Sequence, residues 1–279
     1  SVESDGMSLI RGLDQLRQDM DLVGGIRMVA EDAFEVGKTV AMTPGKIVFQ
    51  NRLMQLTQYA PTTQTVHARP VLIVPPWINK YYILDLTPQK SFVAYLVEQG
   101  FTVFLVSWVN PDASLRDVSF VSYMEEGILA ARDAVAAATG EPGLNILGYC
   151  VGGTLLAATL AYLVDKGDKT VHSATFLATL VDFADAGDIK TFIDEDQIAR
   201  VEHHMERTGV FEGKLMATAF NMLRPNDLIW SFVINNYLRG REPKAFDLLF
   251  WNSDATNLPA AMHSFYLRNM YLNNRLSTP

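Results

Sequence analysis

The spacing of apolar residues predicts a helix near the N-terminus. Leu9, Leu13, Leu16, Met20 and Val23 recur at near-helical intervals, so residues 1–40 are predicted to form amphipathic helix. A helix that lies on a membrane surface is usually rich in Lys and Arg on its polar face, and this segment is not. We therefore expect its apolar stripe to pack on the protein core or on a partner.

The middle of the chain alternates between strand and helix patterns. Two short runs, at 47–49 and 53–59, are typical of a pair of antiparallel strands. From residue 70 onward, strands are predicted at 71–74, 101–108, 144–147 and 173–177, and helices at 91–99, 120–138 and 153–166. Such alternation implies right-handed crossovers and a parallel sheet covered on both faces. Active sites of such sheets lie at the carboxyl ends of the strands.

The alternation stops after Asp182. Residues 183–275 are rich in aromatic residues and carry acidic helical stretches without clear strands, which predicts a mostly helical insertion beside the site. This insertion is either a lid that restricts water and selects substrate or a second packing layer without a gating role. The predicted organisation is an N-terminal helical segment with the first strands at 1–66, an α/β core at 67–182 and a helical cap or lid at 183–279.

The single cysteine lies at the centre of a Gly-x-nucleophile-x-Gly pattern. Cys150 is flanked by Gly148 and Gly152, between the apolar strand at 144–147 and the predicted helix at 153–166. This is the arrangement of a nucleophile elbow with sulfur in place of oxygen. The turn is so tight that side chains at the two glycine positions would collide across it. The pattern therefore indicates that Cys150 is presented as a nucleophile.

The helix after Cys150 has an electrostatic consequence. Its first amides and the positive end of its dipole point toward the sulfur, so we expect a lowered thiol pKa and a favoured thiolate. The alternative is that Cys150 is an ordinary small core residue, since free cysteine is among the most buried residue types.

Composition excludes several classes of function. The 279 residues are 49% hydrophobic and carry a net charge of −8 without a cluster of Lys and Arg, which argues against a nucleic-acid partner. One cysteine forbids an internal disulfide and suits a reducing compartment. We find no signal peptide and no apolar run near the length of a membrane span. These features predict a soluble, intracellular protein.

Five stretches carry a family resemblance. They are PPWINKYYILDL at 75–86, FLVSW at 104–108, GYCVGG at 148–153, LRPND at 223–227 and WNSDATNLP at 251–259. In this order they resemble polyhydroxyalkanoate synthases, and the run at 251–259 is closest to the class I enzymes that act on short-chain monomers. The resemblance covers nearly the whole chain.

The resemblance implies a fold and a reaction. The fold is of α/β-hydrolase type, with a mostly parallel sheet and a largely helical lid or cap insertion. Such synthases load the acyl group of an (R)-3-hydroxyacyl-CoA, here expected to be short-chain such as 3-hydroxybutyryl-CoA, on the elbow cysteine, release CoA and extend a polyester chain. Cys150 would be the nucleophile, with no cofactor and no metal. The family is often dimeric and associates with polymer granules and granule proteins in the cytoplasm.

Two backbone amides are candidates for an oxyanion hole. They belong to Val151, the residue after the nucleophile, and to Ile78, in the loop after the strand at 71–74. Each amide could instead make only ordinary backbone hydrogen bonds. Similar synthases carry an Asp and then a His downstream of Pro279, and neither motif is matched here. We therefore expect the chain to be a fragment without the last core strands, the triad acid and the triad base, and to be inactive alone.

None of the histidines present is a strong substitute for the missing base. His67 and His172 are predicted at the edge of the sheet opposite Cys150. His203 and His204 are adjacent in sequence, and they lack the spacing of a helical metal pair. His263 follows the motif at 251–259 and could approach the site from the lid.

Three acidic residues near the predicted site are interpreted as structural. Asp254 is expected to cap the turn that follows it, as Asp commonly does. Asp182 and Asp185 flank the end of the last predicted strand and could act likewise.

Two other functions stay open. A cysteine thioesterase or hydrolase of the same fold would share the elbow and pass the acyl group to water. A truncated, non-catalytic chain would bind partners through its helical region and turn nothing over.

Overall fold

A mixed sheet forms the centre of the structure. The computed structural model describes residue 4 and residues 6–22, 26–30 and 32–278. Within these residues, the main sheet has the strands β1 (Gly45–Gln50), β2 (Met54–Tyr59), β3 (Val71–Val74), β4 (Val103–Trp108), β5 (Leu144–Tyr149) and β6 (Val171–Leu177). The spatial order is β1-β2-β4-β3-β5-β6. The pairs β1–β2 and β2–β4 are antiparallel and the other pairs are parallel, which confirms the predicted mostly parallel sheet.

Both faces of the central strands are buried. Along β4, Phe104 and Val106 pack in one hydrophobic cluster and Val103 and Leu105 pack in the other. This division follows from the alternation of side chains along a strand. All four residues of β3 are also buried, as expected for a parallel strand with helices on either side.

Helices follow the strands as the pattern predicts. They are α2 (Phe92–Glu98), α3 (Phe120–Ser122), α4 (Ala130–Thr139) and α5 (Val151–Asp165), and a π-helical turn over Tyr123–Leu129 joins α3 to α4. Ser91 caps α2 by accepting a hydrogen bond from the Ala94 amide at 2.9 Å. The predicted helices at 91–99, 120–138 and 153–166 are thus confirmed, with ends that differ by a few residues.

The N-terminal helix differs from the prediction. Helix α1 spans Met7–Leu22, and residues 26–30 and 32–40 form no helix. Its apolar stripe is exposed to solvent, since the exposed fraction is 66% for Leu13 and 70% for Met20. The face of α1 that is buried includes Asp19. The Asp19 carboxylate accepts a 2.7 Å hydrogen bond from the Tyr237 hydroxyl, which ties α1 to the helical region. The apolar stripe therefore does not pack on the core of this chain, and its packing on a partner stays a prediction. Val23 lies outside the described residues.

A mostly helical region follows β6, as predicted. It contains α6 (Glu195–Thr208), α7 (Gly213–Leu223), α8 (Asp247–Ser253) and α9 (Ala260–Tyr266), together with π-helical turns over Asn226–Trp230, Val233–Leu238 and Leu267–Leu272. The short strands β7 (Val210–Phe211) and β8 (Leu258–Pro259) pair antiparallel within it. None of the helices in the described ranges is both long enough and apolar enough to cross a membrane.

The helical region is joined to the loop after β3 by side-chain hydrogen bonds. The Trp251 indole donates to the Lys80 carbonyl at 2.7 Å, and the Tyr82 hydroxyl donates to the Asp254 carboxylate at 2.8 Å. Asp254 therefore holds Tyr82, and the prediction that it caps the following turn is wrong, since its carboxylate accepts no hydrogen bond from that turn among the described residues. Asp182 does act as a turn cap, because it accepts from the Ala184 amide at 2.9 Å.

Candidate active site

The turn from β5 into α5 presents Cys150 in a strained conformation. Its backbone has φ 55° and ψ −128°, a region that residues with a side chain rarely occupy. The Cys150 amide donates to the Leu177 carbonyl of β6 at 2.9 Å, and its carbonyl accepts from the Gly153 amide at 2.9 Å. The neighbouring strand and the first helical turn thus hold the residue at the carboxyl end of β5, where the sequence places a nucleophile.

Two glycines permit this turn. A Cβ at Gly148 would lie 2.5 Å from the Gly153 Cα, and a Cβ at Gly152 would lie 2.5 Å from the Pro75 carbonyl oxygen. Both obstacles are backbone atoms, which cannot rotate away as a side chain can. The glycines on either side of Cys150 are therefore required by close backbone approach.

We expect Gly152→Ala to destabilise the fold by about 2 kcal/mol or more, because overpacking against fixed backbone forces the elbow to shift. Urea unfolding measures the effect. Gly143→Ala is the matched control, since the added Cβ would meet only the Thr170 carbonyl oxygen at 3.4 Å. Equal unfolding free energies for the two variants would contradict the close approach.

The two predicted oxyanion residues lie near Cys150. The backbone amide of Val151, the residue after Cys150, lowers the pKa of the thiol. Ile78 lines the same cavity as Cys150, and its loop is fixed by a 2.9 Å hydrogen bond from the Trp108 indole to the Pro75 carbonyl. The structure thus brings Cys150, Val151 and Ile78 together.

The thiol pKa differs from the sequence prediction. Burial raises the pKa of the Cys150 thiol above its ordinary value, and the hydrogen bond from the Val151 amide lowers it by less. The predicted lowered pKa is therefore wrong for this chain. The helix after Cys150, on which the predicted lowering of the thiol pKa rested, is visible in the sequence. The side chains that bury the sulfur come from distant segments, so local pattern does not reveal them.

This burial predicts how the chain reacts with an alkylating reagent. Only the thiolate attacks iodoacetamide, so we expect the alkylation rate of Cys150 to rise about tenfold per pH unit until the pH passes the raised pKa. Mass spectrometry measures the rate without interference because the chain has one cysteine. N-acetylcysteine is the reference compound. A rate that levels off at lower pH than the reference would contradict a raised pKa.

Two cavities meet near Cys150. The cysteine cavity, about 220 Å³, is lined by Cys150, Ile78, Phe220 and Trp251 among others. The histidine cavity, about 320 Å³, is mostly apolar and is lined by Val151, Ile78, Phe220 and His263 among others. Ile78, Met216 and Phe220 belong to both. A further cavity of about 500 Å³ lies between Met28 and the segment 231–249 and shares no lining residue with the cysteine cavity.

Two tyrosines near Cys150 were missed by the sequence analysis. The rings of Tyr266 and Tyr271 meet edge-on with centroids 5.4 Å apart, and both line the histidine cavity. Burial raises the pKa of both phenols, and negative charge on Cys150 raises it further. The two tyrosines are five residues apart in sequence. They share one side of the helix because the turn over Leu267–Leu272 is π-helical, with hydrogen bonds between residues i and i+5. Sequence periodicity gives no signal for such a turn.

The histidines occupy different surroundings. His67 and His172 are exposed. His203 and His204 pair with Glu206 at 3.2 Å and Glu212 at 2.7 Å. His263 is buried and stacks on Phe211 with ring centroids 4.8 Å apart. In the described part of the chain, no histidine is hydrogen-bonded to Cys150 and no group of three or more His, Cys, Asp or Glu side chains could hold a metal ion.

Comparison with protein families agrees with this architecture. Residues 69–273 match the family described as alpha/beta hydrolase fold, so the chain belongs to that family. Residues 1–96 match the family described as the N-terminus of poly-beta-hydroxybutyrate polymerase (PhaC).

Curated relatives are more specific. The chain is 59% identical over 280 residues to the poly(3-hydroxyalkanoate) polymerase of Methylorubrum extorquens, covering 99% of this chain and 46% of the relative. It is 52% identical over 280 residues to the polymerase subunit PhaC of Rhizobium meliloti, covering 99% and 46%. Identity to the polymerase subunit PhaC of Cupriavidus necator is 47% over 283 residues, covering 100% and 48%. The chain is therefore similar to these polymerases over nearly all of its length and spans about half of theirs.

Proposed function

We propose that the protein to which this chain belongs polymerises (R)-3-hydroxyacyl-CoA thioesters, with short-chain monomers preferred, into a polyester and releases CoA. The observation that carries the proposal is Cys150 on a strained elbow, opening to one cavity and adjoining a second, apolar one. The similarity to proteins named poly(3-hydroxyalkanoate) polymerase supports it.

The reaction we propose has two transfers. The Cys150 sulfur attacks the thioester carbonyl, a new carbon–sulfur bond forms, the bond to CoA breaks, and the thiol proton leaves with CoA. The 3-hydroxyl of another unit then attacks the acyl-cysteine, an ester forms and the hydroxyl proton returns to the sulfur. Exchange of one thioester for another is nearly balanced in free energy, so the acyl group stays activated for transfer. Both transfers need a general base.

The amides of Val151 and Ile78 are the proposed oxyanion donors. The Val151 amide follows Cys150 directly and lowers the pKa of its thiol, so this amide is a candidate donor to the oxygen of a carbonyl bound to the sulfur. Ile78 lines the cysteine cavity on a loop held by Trp108. Preorganised donors of this kind stabilise the negative charge that develops on the carbonyl oxygen.

The helical region is proposed to act as a cap on the α/β core. Met216 and Phe220 of α7 line both cavities, so this region supplies walls to the space around the nucleophile. An apolar wall excludes water from the acyl-cysteine, which would favour transfer to a hydroxyl over hydrolysis. The boundaries after residues 66 and 182, which separate the N-terminal segment, the α/β core and the cap, are part of this proposal.

Product analysis tests the function. The complete protein that contains this chain is incubated with (R)-3-hydroxybutyryl-CoA, and CoA, free acid and polymer are quantified. We expect CoA and polymer with little free acid. Equal amounts of CoA and free acid would instead establish the thioesterase alternative, and no CoA release would favour a non-catalytic chain.

The surroundings of the protein are proposed by similarity alone. Relatives named polymerases make a polyester that separates from water, so we propose a granule surface and granule-associated proteins as partners, a cytoplasmic location and a homodimer. Fractionation of cells that accumulate polymer, with antibody detection, tests the granule association.

A further inference from the structure

His263 is a buried titratable group that the proposed reaction does not use. Its side chain lies on α9, only 4% of the residue is exposed, and it lines the histidine cavity together with Val151 and Ile78. One face of the imidazole is covered by the stacked ring of Phe211, at an interplanar angle of 25°. Among the described residues, no side chain or backbone group is hydrogen-bonded to its ring nitrogens.

An unbonded imidazole is unfavourable in such a place. Burial removes most of the water around this ring, and a polar group that loses hydrogen bonds to water is stabilised by a partner in the cavity that it lines. The surrounding wall is mostly apolar, with Ile189, Phe192 and Leu267, although Gln197 and Arg200 also line the cavity. A hydrophobic residue would satisfy packing at position 263, so the imidazole points to a ligand that supplies its hydrogen bond.

The charge state of His263 limits the chemistry of that ligand. Burial lowers the pKa of the ring to about 4, so near neutral pH the imidazole is uncharged, with one N–H donor and one acceptor nitrogen. An uncharged ring suits a neutral oxygen better than a phosphate or a carboxylate. The same low basicity and the absence of a hydrogen bond to Cys150 speak against a role as general base.

The position of the histidine cavity points to an acyl group on Cys150 as the source of this oxygen. Val151 follows the nucleophile directly, and Ile78 lines both cavities, so an acyl group on the sulfur can extend along the wall that carries His263. We propose that His263 hydrogen-bonds the oxygen at C3 of the acyl group carried by Cys150, and thereby selects 3-oxygenated acyl chains over unsubstituted ones. This inference rests on the proposed function.

Selectivity between two thioesters tests the proposal. The complete protein is mixed with (R)-3-hydroxybutyryl-CoA or with butyryl-CoA, which lacks the C3 oxygen, and acylation of Cys150 is followed by intact-protein mass spectrometry. His263→Phe keeps a ring for the stack on Phe211 and removes both nitrogens. We expect this variant to lose about tenfold in the rate ratio of hydroxybutyryl to butyryl transfer, because a site built to bond an oxygen discriminates against its absence.

Two further variants separate recognition from structure. His263→Gln retains a donor and an acceptor, and we expect it to recover part of the selectivity. Phe265→Leu removes an aromatic ring from the same helix outside both cavities, and we expect the ratio to stay within about twofold of the unmodified protein.

The outcomes are distinguishable. A rate ratio that is unchanged in His263→Phe overturns the recognition role. This includes an equal fall in both rates, because a structural defect affects both substrates alike. If the unmodified protein is acylated by neither thioester, the proposed function fails, and the inference that rests on it fails with it.

Discussion

Replacing Cys150 by alanine is expected to abolish acyl transfer from (R)-3-hydroxybutyryl-CoA in the complete protein. The chain has one cysteine, and no other residue occupies the strained elbow between β5 and α5. Removing a catalytic nucleophile typically lowers kcat by a factor on the order of 10⁶. We expect CoA release and the acyl adduct to fall by at least about 10⁴-fold, measured with a radiolabelled acyl group and by mass spectrometry.

Cys150→Ser is the matched comparison. It keeps a similar shape with a far weaker nucleophile at neutral pH, so we expect strongly reduced and still measurable transfer, with a thermal midpoint close to that of the unmodified protein. Polymer formation at the normal rate in Cys150→Ala would show that the acyl group is carried elsewhere and would remove the basis of the proposed mechanism.

The 279-residue chain on its own is expected to take up at most one acyl group per molecule and to make no polymer. The described residues include all five histidines. Two of them are exposed, two pair with glutamates, and His263 stacks on Phe211. None of them is hydrogen-bonded to Cys150. Loss of the base from a catalytic triad lowers the rate by several orders of magnitude, and burial of the thiol lowers the fraction of thiolate further.

Single-turnover labelling measures this second effect. The chain is incubated with excess (R)-3-hydroxybutyryl-CoA, and the acyl groups bound per molecule are counted over time beside the complete protein. A stoichiometry near one that forms slowly and then stops is the expected result. Sustained CoA release by the chain alone would show that a base is available within these residues.

The positions of the strands and of the elbow were predictable because they depend on local patterns. Buried runs such as 71–74 and 144–147 are short, apolar and bounded by glycine or proline, and each forms a strand of the sheet. The motif around Cys150 was predictable for a steric reason, since close backbone approach allows only glycine at Gly148 and Gly152.

Other properties depend on contacts between distant segments. Helix α1 has an apolar stripe at helical spacing, yet it buries the opposite face because Asp19 bonds Tyr237 from the helical region. Asp254 resembles a turn cap in sequence and instead accepts a hydrogen bond from Tyr82. In both cases the partner lies more than 150 residues away along the chain, where local pattern carries no information.

The sequence by itself determined the parallel sheet, the elbow and the position of Cys150 on it, because side-chain alternation and steric exclusion act over a few residues. The tertiary structure decided the ionisation of Cys150, the pairing of Tyr266 with Tyr271 and the placement of His263 in an apolar cavity beside Val151. These properties depend on how much water reaches each group, and that follows from the packing of the helical region on the sheet.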